Sequence, residues 1–173
     1  MEPVSNPMGA YMTATGFKKH DQTGRSSGAR KSSRRTTIQG QFAPRTIEML
    51  ESPAYRALSQ SAHRVMSRIE IEFAHHGGTD NGRLPVTYDH FEEYGIHRRS
   101  IAPAIRELCA LGFIEVTEAG KAGNREYRRP NLFRLTFRHT ERLGPTEDWR
   151  RITTSEEAES LQRGARLQRG VQG

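Results

Sequence analysis

Cysteine, aromatic residues and long apolar runs are all scarce in this chain of 173 residues. Cys109 is its single cysteine, which excludes an intrachain disulfide and a thiolate cluster for zinc or iron–sulfur and fits a reducing, cytoplasmic location. No run of about 18 apolar residues occurs, so no membrane-spanning helix is expected. The opening stretch MEPVSNPMGAYMTATGFKK lacks a basic segment followed by an apolar one, so no secretory signal is expected either. Apolar residues make up 34% and aromatics 8%. That is too polar for the whole length to form one dry core. A Gly-rich phosphate loop, a nucleophile elbow and a His-Glu-x-x-His helix are all missing. The adjacent His75 and His76 point about 100° apart on a helix and do not pair on a metal. No enzyme, cofactor, metal or small-molecule substrate is therefore expected.

What the chain has in excess is positive charge. Lys and Arg number 27 against 20 Asp and Glu, a formal +7, and such a balance points to a polyanionic partner. The excess is unevenly placed. Residues 1–40 carry seven cations (Lys18, Lys19, Arg25, Arg30, Lys31, Arg34, Arg35) against Glu2 and Asp21. They lie among Ser, Thr, Gly and Asn with no helical or strand period, and such a stretch cannot bury enough surface to offset its ordering entropy. Residues 1–42 are accordingly read as a disordered basic arm, 43–140 as the folded domain and 141–173 as a polar tail. The tail balances six cations against six anions. Thr154 to Gln168 could form one polar helix there, marginal alone, and Trp149 is suited to tack the tail onto the domain or a partner subunit.

Within the domain, periodicity places the elements. A long helix is expected from Ser52-Pro53 to His76, restarting or bending at Ser59, with Ala62, Val65, Met66, Ile69 and Phe73 on one face. His75-His76-Gly77-Gly78 ends it. A minimal strand fits Arg83 to Val86, since a residue before Pro avoids helix. Thr87 caps a short helix over Tyr88 to Tyr94, and Gly95 ends it. A second helix then runs to Leu111 with Ile101, Ala104, Ile105 and Leu108 inward, and Gly112 closes it. Two helices joined across a Gly make a helix-turn-helix. Strands are expected at Phe113 to Thr117 and Asn131 to Phe137, joined by a basic loop as a hairpin.

The run SIAPAIRELCALGFIEV, from Ser100 to Val116, resembles the recognition helix passing into the wing of winged helix-turn-helix domains. Such domains occur in bacterial regulators and in plasmid or phage replication-initiator-like proteins. The resemblance spans about residues 52–138. It implies an α+β fold of three helices and a small antiparallel hairpin wing, with double-stranded DNA as partner and a role in transcriptional control or replication initiation. One position departs from the pattern. Such domains usually carry Ser or Thr just before the recognition helix, and His97 stands here, with Pro103 inside the helix. If His97 caps, Pro103 is sixth and removes one backbone bond; if Ser100 caps, it is third and removes none. The sequence favours Ser100.

On the wheel, Arg99, Pro103, Arg106 and Ala110 lie opposite the apolar face. Small residues beside arginines let a helix seat in a major groove, with Arg reaching guanine or phosphate. Arg99 and Arg106 are the candidate base contacts, Arg98 a phosphate clamp at the helix entrance, and Ser100 and Pro103 neighbours in the groove. The hairpin over about 118–131 adds Lys121, Asn124, Arg125, Arg128 and Arg129 for the backbone. The plainer alternative is a set of solvated arginines paired with Glu107 or with Glu92 and Glu93. The arm would add affinity through counterion release. The first helix and the C-terminal helix offer surfaces for a homodimer. The rival functional reading is a winged-helix adaptor whose basic arm engages an acidic protein, because fold alone does not separate the two.

Overall fold

A computed structural model describes residues 40–121 and 129–168, a mixed α+β unit. Its described residues form six α-helices, one 3-10 turn and a three-stranded antiparallel sheet. The N-terminal arm lies outside them, apart from its last three residues.

Two short helices open the unit, α1 (Ile47–Glu51) and α2 (Pro53–Arg56), capped by the hydroxyls of Thr46 and Ser52. Sequence periodicity missed α1. The helix expected from Ser52-Pro53 to His76, with a restart or bend at Ser59, is α2 followed by α3 (Gln60–His75), which restarts at Ser59. The cause is local: Ser59 has extended backbone, its hydroxyl caps Ala62, and its own N–H and hydroxyl both donate to Glu107. A residue held that way cannot continue a helix. Beyond it, Ala62, Val65, Met66 and Ile69 form the buried stripe that the 3.6-residue period foretold.

Strand β1 (Leu84–Val86) leads to Thr87, whose side chain caps α4 (Tyr88–Glu93). Four residues later comes α5 (Arg98–Ala110). Its N-cap is His97, whose Nδ1 accepts from Arg99 N at 3.4 Å, not Ser100 as the sequence favoured. The amide of Ser100 is already spent on the carbonyl of His97, 2.7 Å away, so Ser100 is inside the first turn. Pro103 is therefore sixth in α5 and does remove one backbone bond.

Strands β2 (Ile114–Glu118) and β3 (Asn131–Leu135) pair with Ile114 opposite Leu135 and Val116 opposite Phe133. Strand β3 also pairs with β1, Leu84 opposite Phe133, giving the order β1-β3-β2. β3 stops two residues earlier than expected. Buried Asn81 supplies the reason: its Oδ1 accepts from Leu135 N at 2.7 Å, while its Nδ2 donates to the carbonyls of Leu135, Arg138 and His139. One amide side chain thus takes the place of the next ladder rung.

Residues 141–168, read from sequence as a polar tail with a helix over Thr154 to Gln168 and Trp149 as its tack, dock on the unit. A 3-10 turn, Asp148–Arg151, sinks Trp149 to 3% exposure beside Ile152 in the main core, and α6 (Ser155–Leu167) packs against α5 and α2. Arg150 covers the Trp149 ring at 4.5 Å and also donates to Glu48 of α1, tying the two ends of the unit together. Gly112 permits this closure. Its φ is +77°, and a Cβ there would stand 2.7 Å from both Asp148 C and Trp149 N.

Gly112→Ala should therefore cost about 3 kcal/mol in urea unfolding, from left-handed backbone plus overpacking. Gly77→Ala, also left-handed but in open space, should cost only about 1 kcal/mol. Equal costs at the two sites would show that the Trp149 approach is not tight. A pH effect is expected at the end of α3. The hydrogen bond to Asp80 and the nearby Glu72 raise the His76 pKa. The stabilisation is then fully present below about pH 6.5, the ordinary histidine value, and fades as pH rises through the raised value. His76→Gln should accordingly destabilise more at pH 5.5 than at pH 8.5.

Candidate nucleic-acid interface

The first turn of α5 carries two cations with different employment. Arg98 bonds Asp89 at 3.0 Å and Glu92, and its guanidinium lies 5.7 Å over the Tyr88 ring. Those bonds, Asp89 first and then Glu92, raise its pKa. Its charge is largely spent in bracing α4 against α5. Arg99, one residue on, is exposed, and its side chain has no ion pair or hydrogen bond among the described residues. Ser100 and Pro103 are half-buried beside it.

Arg106 is differently placed from the expectation of an open base contact. Its Nε donates to the Ala165 carbonyl at 3.0 Å and its Nη2 to that of Arg166 at 3.4 Å, so it caps the C-terminal end of α6. Beside it, Glu107 has no exposed side-chain surface. Three donors meet its carboxylate: Ser59 N at 2.5 Å, Ser59 Oγ at 2.8 Å and Arg166 Nη1 at 2.6 Å. The plainer alternative in the sequence, arginines paired with Glu107 or with Glu92 and Glu93, holds for Arg98 and Glu92, but Glu107 is not a solvated partner. Its spacing held the contrary signal, because it follows inward Ala104 by three residues and precedes buried Leu111 by four. Glu70 repeats the pattern on α3, buried and bonded by Arg45, which also reaches Tyr55 and Ser67.

At the base of the β2–β3 hairpin, Lys121 and Arg129 form a bridge across the two arms. Lys121 is exposed, and Arg129 is 73% exposed with only a 3.9 Å approach to Glu118. Asn131 Oδ1 accepts from Gly120 N at 2.6 Å and fixes where the hairpin leaves the sheet. Asn124, Arg125 and Arg128 lie outside the described residues.

Other chemistry is sparse. Burial pushes the Cys109 thiol up to about 11, although the residue as a whole reaches the surface, so thiolate is scarce near neutral pH. His76 stands between Glu72 at 3.3 Å and Asp80 at 3.0 Å, partners four residues either side that the sequence reading overlooked. No cluster suited to a metal occurs among the described residues, and no helix there is long and apolar enough to cross a membrane. Comparison of the chain with protein-family models, curated proteins and solved structures gives no match.

Removing Glu107 should be costly, because Ser59 and Arg166 lose a shared acceptor. Glu107→Ala is expected to lower unfolding free energy by about 3 kcal/mol or more. The exposed Arg163–Glu159 pair, 3.5 Å apart, gives the contrast: Arg163→Ala should change stability by less than about 0.5 kcal/mol. Urea denaturation of both variants measures the difference.

Proposed function

We propose that this chain is a winged helix-turn-helix protein that binds double-stranded DNA without catalysis, in transcriptional control or in initiating replication of a mobile element. In this reading α4 and α5 are the helix-turn-helix, α5 is the recognition helix and the β2–β3 hairpin is the wing. The observation that carries it is that Arg99, in the first turn of α5, is exposed and has no side-chain bond among the described residues, and that Lys121 and Arg129 at the hairpin base are exposed as well. Sheet order β1-β3-β2, with a helix pair between β1 and β2, supports the same reading. Arg99 is the base or phosphate contact at the groove, and Lys121 and Arg129 hold the backbone. Arg98 positions α5 on α4. The N-terminal cations add affinity that is independent of sequence.

A protein-interaction adaptor is the second reading, and one observation favours it: two of the three arginines on α5, Arg98 and Arg106, are engaged within the protein. Fluorescence anisotropy on a labelled random duplex and on DNA flanking the gene separates the two. DNA binding through six to ten phosphates should weaken by roughly 10³ to 10⁵ between 50 and 200 mM salt. Lys121→Ala and Arg129→Ala should each lower the salt slope by about 0.9. Arg99→Ala should cost about 1–3 kcal/mol on a preferred sequence if it reads a base. Absence of binding at low salt, or indifference to all three substitutions, would favour the adaptor.

A further inference from the structure

We infer that α6 is an autoinhibitory latch on α5, whose last turn must lift before α5 can seat fully in DNA; this rests on the DNA-binding reading above. Geometry comes first. Arg106 and Glu107 are successive residues and so point about 100° apart on the helix, yet both reach the last turn of α6: Arg106 bonds the carbonyls of Ala165 and Arg166, and Glu107 receives Arg166. That turn therefore sits between their two directions, against the outward line of α5 that begins at Arg99 and Pro103. A major groove about 12 Å wide admits one helix. Two helices packed about 8–10 Å apart, each about 10 Å across, do not enter together.

α6 is held on α5 with little apolar packing, its last turn chiefly by the bonds of Arg106 and Arg166. Its buried side chains are Ala158 and Ala165 alone, while Leu161 and Leu167 remain 38% and 82% exposed. Gly164 precedes the two contact residues, and a Cβ there would meet nothing within 4 Å. No packing need explains a glycine at that position. Its effect is to loosen the turn that touches α5. Trp149, Ile152 and Ala158 of α6 itself anchor the chain in the core, so only the last turn of α6 lifts, and Ser59 keeps its two bonds to Glu107 meanwhile. Lifting would free the guanidinium of Arg106, which lies two helical turns from Arg99 on the same side of α5. Phosphate then competes with the α6 carbonyls for the same donors.

The test uses the full chain and a labelled random-sequence duplex at 50 mM salt. Gly164→Ala strengthens the last turn and should weaken DNA binding by up to about fivefold. Gly164→Pro breaks the turn and should tighten binding severalfold. Gly144→Ala, equally open but outside α6, should change nothing. Amides of residues 161–167 should exchange faster with duplex bound than without, a response that a purely structural helix would not give. If the parent binds while both Gly164 variants bind within twofold of it, the latch is wrong and the DNA reading stands. If neither parent nor variants bind, both fall. Should Gly164→Pro lose its fold by circular dichroism, the Gly164→Ala affinity and the exchange experiment decide alone.

Discussion

Three donors converge on Glu107, a carboxylate entirely withdrawn from solvent on α5. Burying such a charge costs several kcal/mol, recovered only when its oxygens are fully bonded. The donors come from the α2–α3 junction and from α6, so the bonded state exists only when those elements and α5 are mutually in place. Much of the architecture follows. Ser59 is held out of helical geometry, which divides the N-terminal helices. The rotation of α5 about its own axis is set, which turns Ile101, Ala104 and Leu108 inward and leaves Arg99 outside. An apolar residue at position 107 could pack there, but it would fix neither Ser59 nor Arg166.

That fixed rotation explains why three arginines within nine residues have three fates. Arg98 faces α4 and is neutralised by its acids, Arg106 meets the end of α6, and of the three Arg99 alone has no bonded partner among the described residues. Formal charge counts all three equally. Binding to a polyanion would not, since a cation already bonded must first give up its partner. The electrostatic footprint of the described unit is accordingly narrower than its composition implies.

Elements defined by their own periodicity were legible from sequence. The stripe of α3, the Thr87 cap, the inward set of α5 and the two hairpin strands all express local repeats of 3.6 or 2 residues. What escaped was set by contacts distant in sequence. α1 is only five residues long and has Arg150, far along the chain, as its partner. The cap at His97 prevailed over Ser100 although it costs Pro103 a backbone bond. The end of β3 depends on Asn81, whose side chain looks like any turn residue. For the polar tail, the helix and the Trp149 tack are legible in the sequence, and what escaped is how closely Trp149 and two alanines dock it on the rest. Arg99, Lys121 and Arg129, singled out from sequence, are exposed, whereas the engagement of Arg106 by α6 was invisible because no local pattern encodes it.

The seat of Trp149 against Gly112 bears on how the molecule is made. Translation runs from the first helices through α5 and the hairpin before it reaches residue 149, so the ribosome delivers the surface proposed to meet DNA well ahead of the residue that completes the core beneath it. Until Trp149 and Ile152 have emerged, the nascent chain has an open apolar seam beside Gly112. Such a seam invites chaperones or misassociation on a crowded polysome. The pace of synthesis from Gly112 to Ile152 sets how long the seam stays uncovered.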